Sequence, residues 1–338
     1  MTELKDVLAG ESFLLFDGAM GTMLQRRGLA AGELPEKLCF SDPEGITAIH
    51  RAYVEAGSQV VTTNTFGANS RKLEDAAEVE KAFAAAVNCA RESGAQYVAA
   101  DIGPLGDLIF PMGDLEFSEA YELFAEQARA IAKTDADLVI IETMADVLEM
   151  AAAVLAVKDE CSLPVFATMT FTASGRTFLG TTPRDAALAL AALGVDALGV
   201  NCSAGPADLQ SVVSEMLEVA PCPVIVQANA GLPEVVNGET TYTLAPEDYA
   251  KAVLPMVEAG ATIVGGCCGT DPDYIGAVAE LLRNRAAASC LVAREESLEQ
   301  ARAVADEGGR DAEIIEMILD AEGDRGAIKE AFAEEFDE

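Results

Sequence analysis

The feature that most constrains the fold of this 338-residue chain is a regular alternation of two kinds of segment. Short apolar runs rich in β-branched residues alternate with longer stretches of Ala, Leu and Glu that have a helical period. This pattern is typical of repeated strand–helix units around a parallel sheet. Eight short runs can be counted, at residues 13–16, 60–65, 97–102, 138–142, 165–170, 197–201, 224–227 and 262–264. Eight repeats are the number that closes a (β/α)8 barrel.

The stretches between the runs support this prediction, because residues 118–133 and 183–193 have clear amphipathic helical periods. The alternative fold is an open doubly wound sheet, which carries a G-x-G-x-x-G phosphate loop after its first strand. The first run here ends instead in Asp-Gly-Ala-Met-Gly-Thr at residues 17–22. We therefore predict an α/β fold, with a (β/α)8 TIM barrel over residues 1–290.

Residues 291–338 depart from the repeating pattern and are predicted to form an acidic, partly helical C-terminal extension. Residues 294–338 contain sixteen acidic and five basic residues. Because acidic runs are usually solvated, we interpret the extension mainly as a solvated, partly ordered tail. An apolar group within one short helical segment leaves open a second interpretation, in which the extension packs on the barrel or on another protein. This group consists of Ile314, Ile315, Met317 and Ile318.

The composition argues against several classes of partner. A formal net charge of −35 repels phosphate backbones, so we expect no nucleic acid partner. No run reaches the roughly 18 uncharged apolar residues of a membrane span, and the first ten residues lack the sections of a signal peptide. We therefore expect a cytoplasmic protein with no membrane partner. Its eight cysteines are then interpreted as reduced thiols and not as a disulfide framework.

Polar residues end most of the eight runs. Barrel enzymes build their active sites at the carboxyl ends of the strands, so these side chains are predicted to face one cavity. Turn chemistry alone also favours Asp, Asn and Gly at such positions, so a single member does not identify a site. The set comprises Asp17, Asn64, Asp101, Glu142, Thr170, Asn201 with Cys202, Asn229, and Cys267 with Cys268.

Three cysteines at run ends predict a metal centre. Cys202 follows the sixth run, and Cys267 and Cys268 follow the eighth within a Gly-Gly-Cys-Cys-Gly sequence. Adjacent thiols converge only where a strand breaks into a turn, which flanking glycines permit. Three converging thiolates form a zinc site with one open coordination position. The only histidine, His50, is predicted in the helix before the second run, away from this site.

The ligand set also indicates the chemistry. Zinc enzymes that activate water use mostly neutral histidine ligands, which keep the ion electrophilic. Three thiolates leave a net negative centre, so a substrate thiolate in the fourth position stays electron-rich while zinc keeps it deprotonated. Such a site is suited to deliver a sulfur nucleophile. The competing interpretation, three buried free cysteines, does not account for the adjacent pair between glycines.

Five segments resemble the homocysteine S-methyltransferases, and are most similar to the homocysteine-binding barrel at the N-terminus of cobalamin-dependent methionine synthases. They are residues 17–22, 63–68, 101–104, 199–203 and 265–270. The likeness spans nearly all of residues 10–286, and the occurrence of Asn-Cys followed by Gly-Gly-Cys-Cys-Gly is highly specific.

The resemblance implies roles for individual residues. Zinc is held by Cys202, Cys267 and Cys268, and the sulfur of homocysteine takes the fourth position. Glu142 is similar to the carboxylate that receives the substrate ammonium group, and Asp17 with Gly18 helps to hold the amino acid. Asn229 resembles the residue that occupies zinc when substrate is absent, although Ala228 replaces a proline that often precedes it. The candidate substrate-binding set is Asp17, Gly18, Asn64, Glu142, Asn201 and Asn229.

The methyl donor is less constrained. No folate-binding or cobalamin-binding module follows the barrel in this sequence, so we expect a free donor or one carried by another protein. Methylcobalamin or a methylated corrinoid protein is the first choice, with the extension as its docking surface. S-methylmethionine, S-adenosylmethionine and a betaine are the alternatives.

Two other classes of function are alternatives to a methyltransferase. One is a catalytically silent zinc-binding interaction subunit, against which the polar ends of the other strands argue. The other is an aldolase-like barrel, which requires a Schiff-base lysine or a phosphate site near the last strands. No lysine ends any of the eight runs.

Overall fold

The computed structural model describes residues 2–30, 32–73, 75–236 and 239–337. Its centre is an eight-stranded parallel sheet in the order β1, β10, β7, β6, β5, β4, β3, β2. A bridge between Phe16 and Val60 joins the first and last of these strands and closes the barrel. The strands are β1 (Leu14–Leu15), β2 (Val60–Thr62), β3 (Tyr97–Ile102), β4 (Leu138–Met144), β5 (Val165–Met169), β6 (Ala197–Cys202), β7 (Val224–Ala228) and β10 (Ile263–Gly266).

The prediction of a (β/α)8 barrel is confirmed, and each of the eight predicted runs overlaps one barrel strand. An additional antiparallel hairpin between β7 and β10 was not predicted. It consists of β8 (Pro233–Val236) and β9 (Glu239–Tyr242). The sequence did contain a signal for it, because an Asn-Gly dipeptide between two β-branched stretches is a strong hairpin indicator.

Side chains on the inner face of the barrel form their own apolar cluster, separate from the one beneath the helices. Its strand members are Leu14, Phe16, Val60, Ala99, Leu138, Ile140, Phe166, Ala197, Ile225 and Ile263. Helix α1 (Leu4–Leu8) packs Val7 against this cluster and thereby covers the amino ends of the strands. Because side chains alternate along a strand, the inward positions two residues further along lie at the open mouth. These positions are Asp101, Glu142, Thr168 and Gln227.

Helices surround the barrel and return the chain to the start of each following strand. They begin and end at residues with capping signals: Thr182 accepts a hydrogen bond from Asp185 N at the start of α8, and Gly194 adopts a left-handed conformation at its end. The helices are α2 (Met20–Arg26), α3 (Leu38–Ser41), α4 (Pro43–Ala56), α5 (Ala76–Glu92), α6 (Phe117–Ile131), α7 (Val147–Glu160), α8 (Pro183–Leu193), α9 (Gln210–Leu217), α10 (Pro246–Ala259) and α11 (Pro272–Leu282), with a 3₁₀ turn at Pro35–Lys37.

The C-terminal extension folds into three helices that pack on the outside of the barrel against α6, α7 and α8. They are α12 (Arg294–Ala305), α13 (Arg310–Asp320) and α14 (Arg325–Phe336), called here the C-terminal layer. Ile314, Ile315 and Ile318 are buried, and Phe332 packs edge-on against Phe117 at 5.1 Å. The interpretation as a solvated tail was therefore wrong. Its acidic residues occupy the solvent face of helices whose other face is apolar, an arrangement that a count of charges does not detect.

Among the residues that the structure describes, no helix is both long enough and apolar enough to cross a membrane.

Candidate active site

The three predicted ligand cysteines converge at the barrel mouth. The Sγ atoms of Cys202 and Cys268 lie 3.9 Å apart, and those of all three cysteines lie within 4.8 Å of one another. Strand β6 ends at Cys202, which has a left-handed φ of 57°, so the chain turns there and aims the thiol across the mouth. A β-carbon at Gly266 would overlap Thr270, so only glycine admits the tight turn that carries Cys267 and Cys268.

The geometry of the cluster fits a zinc ion. Two sulfurs bound tetrahedrally at about 2.3 Å from zinc lie roughly 3.8 Å apart, close to the observed separation of Cys202 and Cys268. Hydrogen bonds from Cys202 and Cys267 lower the pKa of the Cys268 thiol to about 3, so the first negative charge of the cluster lies on Cys268. Hydrogen bonding with Cys202 and Cys268 raises the pKa of Cys267 well above its ordinary value, since three adjacent thiolates without a cation repel one another.

Three carboxyl groups line the mouth that contains the cysteines: Asp17 and Asp101 are buried, and Glu142 is half-buried. Burial raises the pKa of Glu142 to about 8, and the nearby charges of Cys202 and Asp17 add to the effect. Burial also raises the pKa of Asp17 to about 7, against the lowering effect of hydrogen bonds from Thr62. Burial and the charges of Glu142, Asp17 and Glu36 raise the pKa of Asp101. A site of this kind favours a cationic ligand.

Glu142 is aimed by an irregularity in β4. The register between β4 and β5 shifts between Ile141 and Met144, and Thr143 has a left-handed φ of 63°. Such bulges re-aim side chains at the rims of barrels. Asn201 fixes the bulge, because its Oδ1 accepts from Thr143 N at 2.8 Å and its Nδ2 donates to Glu142 Oε2 at 3.0 Å.

The structure gives Asn201 a positioning role that the sequence did not reveal. Its Oδ1 also accepts from Thr168 Oγ1 at 2.8 Å, and its Nδ2 lies 3.9 Å from Cys267 Sγ. The fully buried amide thus connects Glu142 with the cysteine cluster and leaves little capacity for a direct substrate contact.

Asp17 and Gly18 form the turn after β1. The two carboxylate oxygens of Asp17 accept from Thr62 N at 2.8 Å and from Thr62 Oγ1 at 2.9 Å, which ties β1 to β2. Gly18 packs against Tyr53 and Thr270, where a β-carbon would come within 2.7 Å of Thr270 Oγ1. Both residues therefore lie in the mouth, as predicted.

The other two candidates differ from each other. Asn64 donates from Nδ2 to Pro35 O at 2.7 Å and to Cys39 Sγ at 3.7 Å, so its amide nitrogen anchors the loop after β1. The backbone N of Asn229 donates to Ala204 O at 3.0 Å, but its side-chain Oδ1 is buried without a hydrogen-bond partner among the described residues. A buried orphan acceptor beside the cysteines suits a metal or substrate contact.

Several residues near the site were missed because their contacts cross strands that are distant in sequence. Tyr53 donates to Ala19 O and Thr270 O, and Tyr249 donates to Gly265 O at 2.8 Å. Gln227 faces the mouth with its Oε1 unpartnered among the described groups. Tyr242, on the unpredicted β9, lies over Gly269 and near Cys268. No local pattern distinguishes these side chains from ordinary core residues.

Exposed apolar side chains surround the mouth. Among the described residues, large apolar side chains with substantial exposure are found mainly on segments that follow barrel strands, Phe40 within the short helix α3 and the others in loops. They are Phe40 after β1, Phe66 after β2, Met112 after β3, Phe178 after β5 and Leu232 after β7, and this set is called here the mouth rim. Leu291, in the linker before α12, is the remaining exposed member. Exposed apolar side chains near a site supply surface that a partner or a large ligand can bury.

Comparison with known proteins shows to which family the chain belongs. The model of the homocysteine S-methyltransferase family matches residues 14–282, which is most of the chain. The chain belongs to the homocysteine S-methyltransferase family. Membership identifies it as a methyltransferase enzyme and confirms the resemblance inferred from the sequence.

Two relatives show which members of the family the chain resembles in sequence. The chain is 35% identical over 306 residues to methionine synthase of Mycobacterium tuberculosis, covering 84% of this chain and 26% of the relative. It is 34% identical over 301 residues to methionine synthase of Mycobacterium leprae, covering 82% of this chain and 25% of the relative. This homocysteine S-methyltransferase family member is thus similar to methionine synthases, and it spans about a quarter of their length.

Solved structures share the fold. The oxidized form of the homocysteine methyltransferase MmuM from Escherichia coli superimposes with a TM-score of 0.70 at 23% identity, covering 83% of this chain and 100% of that chain. Its metallated form gives a TM-score of 0.68 at 24% identity, covering 82% of this chain and 99% of that chain.

Proposed function

We propose that this chain transfers a methyl group to the sulfur of homocysteine and forms methionine, with zinc held by Cys202, Cys267 and Cys268. The observation that carries the proposal is the convergence of three thiols within 4.8 Å at a mouth that also contains buried carboxyl groups. Zinc bound by three thiolates keeps a fourth, substrate sulfur deprotonated and electron-rich near neutral pH. A thiol that also carries an ammonium group matches both parts of the site.

The residues of the mouth then have distinct tasks. Glu142 accepts a hydrogen bond from the substrate ammonium, and Asn201 holds Glu142 in place through Nδ2. Asp17 adds negative charge while it ties β1 to β2 through Thr62. The Oδ1 of Asn229, which is buried without a partner among the described residues, would supply a ligand oxygen for the metal when no substrate is bound. Reduced thiols at this site are consistent with a cytoplasmic location.

The methyl donor proposed for the reaction is methylcobalamin or a corrinoid held by a carrier protein. The sulfur and the methyl carbon must meet in line at roughly 3 to 3.5 Å, so a carrier has to dock over the mouth. The mouth rim supports this arrangement because it presents apolar side chains there, including Phe66 and Phe178. The C-terminal layer is less suitable for docking than expected from the sequence, because Ile314 and Ile315 are buried.

Binding of homocysteine tests the proposal directly. Zinc-loaded protein is titrated calorimetrically with L-homocysteine, and methionine formation is then assayed with methylcobalamin, S-methylmethionine, S-adenosylmethionine and betaine in turn. We expect one homocysteine bound per zinc and turnover with methylcobalamin. Stoichiometric zinc without any response to homocysteine would identify a silent zinc-binding subunit instead. Rapid turnover with one of the other three donors would refute the corrinoid assignment.

We also propose that residues 1–290 form the catalytic unit and that residues 291–338 stabilise it from outside. The C-terminal layer contacts α6, α7 and α8 on the outside of the barrel. A chain ending near Ala288 is therefore expected to keep its response to zinc and homocysteine while it unfolds at a lower urea concentration. Loss of zinc binding in folded, truncated protein would contradict this division.

A further inference from the structure

Asp101 is a buried carboxyl group at the mouth of the barrel. It is the last inward-facing residue of β3, two positions beyond Ala99, and it is 3% exposed. Its Oδ1 atom is buried without a hydrogen-bond partner among the described residues. Native proteins leave few buried polar atoms unsatisfied, and such atoms call for a specific explanation.

The backbone of Asp101, in contrast, is firmly held. Its N donates to Thr63 Oγ1 at 3.0 Å, and its O accepts from Thr65 Oγ1 at 2.8 Å. These bonds involve main-chain atoms, so a different side chain at position 101 could form them equally well. The fold therefore accounts for the backbone position and not for the carboxyl group.

The charges near Asp101 are all acidic. Glu142, Asp17 and Glu36 are the groups that act on it electrostatically, and they raise the pKa of Asp101 together with burial. A buried acid beside other acids destabilises the protein unless a cation compensates it. Among the described residues, no cationic group acts on Asp101, so its carboxyl group favours the neutral form until a cationic ligand compensates the negative charge.

The ammonium group of an amino-acid substrate has the required properties. It carries one positive charge and three N–H donors, so a single carboxylate such as Glu142 does not satisfy it. The cysteine cluster fixes the position of the substrate sulfur. The Nδ2 of Asn201 donates to Glu142 Oε2 on β4 at 3.0 Å and lies 3.9 Å from Cys267 Sγ, so Glu142 lies near the cluster. Asp101 faces the same mouth from the neighbouring strand β3, which pairs with β4.

We propose that Asp101 is a specificity-determining residue that, together with Glu142, accepts a hydrogen bond from the substrate α-ammonium group. The proposal rests on the proposed function, since it names the residue that makes the same site selective for an amino thiol. It adds to that function a reason for selectivity: a thiol without an ammonium group leaves Asp101, which is buried, and Glu142, which is half-buried, without a compensating cation.

The test compares two thiols that differ only in the amino group. Zinc-loaded wild-type protein, Asp101→Asn and Asp101→Ala are titrated calorimetrically with L-homocysteine and with 4-mercaptobutyrate, which lacks the ammonium group. Glu149→Gln is a matched control, because Glu149 is also a buried acid but accepts from Leu105 N at 2.8 Å on α7. Urea unfolding of each variant verifies that the barrel is folded.

We expect the wild type to prefer L-homocysteine strongly. Asp101→Asn and Asp101→Ala weaken homocysteine binding by about ten- to a hundredfold, the range for a charge-assisted hydrogen bond, and leave 4-mercaptobutyrate binding unchanged or tighter. The control keeps the wild-type preference. An unchanged preference in both Asp101 variants overturns the assignment of Asp101 alone. Wild-type protein that binds neither thiol overturns the proposed function as well.

Discussion

Asp101 in the barrel mouth and Asp146 at the start of α7 are both buried carboxyl groups, 3% and 1% exposed, but their surroundings differ. Asp146 accepts from Arg310 Nη1 at 2.7 Å and Nη2 at 2.9 Å, and from Leu148 N at 3.0 Å. Asp101 Oδ1 accepts no hydrogen bond from the described residues. The carboxyl group of Asp146 links the C-terminal layer to the barrel, whereas the Oδ1 of Asp101 is available to a ligand.

Acids in the barrel mouth and acids that contact the C-terminal layer also differ in the direction of their pKa shifts. Burial raises the pKa of Asp17 to about 7 in the mouth. Where the C-terminal layer packs on α7, hydrogen bonds from Lys329 and Arg325 overcome the effect of burial and lower the pKa of Asp159. The two acids therefore shift in opposite directions because Asp159 has cationic partners and Asp17 is buried without one among the groups that act on it.

The largest expected effect is loss of the metal. Cys267→Ala and Cys268→Ala each remove one of three thiolate ligands, so zinc binding should fall below detection while the barrel remains folded. The measurement is zinc content after dialysis against a weak chelator, with circular dichroism as the test of folding. Cys222→Ala is the control, because Cys222 lies outside the cysteine cluster and should keep full zinc occupancy. Full occupancy in the Cys267 or Cys268 variant refutes the ligand assignment.

A second prediction concerns the ion pair that fastens the layer. Arg310→Met leaves Asp146 buried without its cation, which should lower the free energy of unfolding by about 3 to 5 kcal/mol. Urea unfolding measures this loss, and zinc content and homocysteine affinity should stay at the wild-type level. Arg302→Met, at an exposed position on α12, is the control and should change stability by less than about 0.5 kcal/mol. Equal effects of the two substitutions would show that the pair does not stabilise the layer.

A third prediction concerns substrate binding in the mouth. Glu142→Gln removes a charge-assisted hydrogen bond worth about 1.5 to 3 kcal/mol, so homocysteine affinity should fall roughly ten- to a hundredfold. Zinc content should not change, because the proposed zinc ligands are the three cysteines and do not include Glu142. The alternative explanation is that Glu142 only stabilises the following helix. In that case the variant binds homocysteine normally and is less stable to urea.

Much of the barrel could be predicted because its signals are local. Each strand forms a short β-branched run, and each inward layer repeats every second residue, as for Ala99 and Asp101. The cysteine cluster could also be predicted, since the glycines around Cys267 and Cys268 mark a strand end that only a turn explains. These features depend on neighbouring residues and on the closure of eight repeats.

The features that escaped prediction depend on contacts between distant segments. The positioning role of Asn201 requires the bulge at Thr143, which lies 58 residues earlier in the chain. The packing of the C-terminal layer requires Arg310 to reach Asp146 across 164 residues. Acidic composition indicated solvation of that segment, because composition does not register which face of a helix carries the charges.

The smallest effect is expected at the partly exposed edge of the C-terminal layer. Asp159 accepts from Lys329 Nζ at 2.6 Å, from Arg325 Nε at 2.6 Å and from Tyr121 Oη at 2.8 Å. Solvent screens this group of charges, so Lys329→Met should cost about 1 kcal/mol or less at pH 7, and still less at high salt. Urea unfolding at several pH values measures the difference. Lys251→Met, which breaks a fully exposed pair with Asp248, is the control.

The pH dependence separates the two regions. The pKa of Asp159 is lowered in the folded protein by Lys329 and Arg325, so its stabilising contribution is present above its ordinary value of 3.8 and is lost as pH falls. The pKa of Glu142 is raised to about 8 by burial, so its contribution is lost as pH rises from about 4.5 to 8. The deficit of Lys329→Met should therefore disappear in acid, whereas metal-free Glu142→Gln should gain stability over wild type in mild alkali. If the free energy of unfolding of the two variants depended on pH in the same way, the acids of the mouth and of the layer would not differ in their pKa shifts.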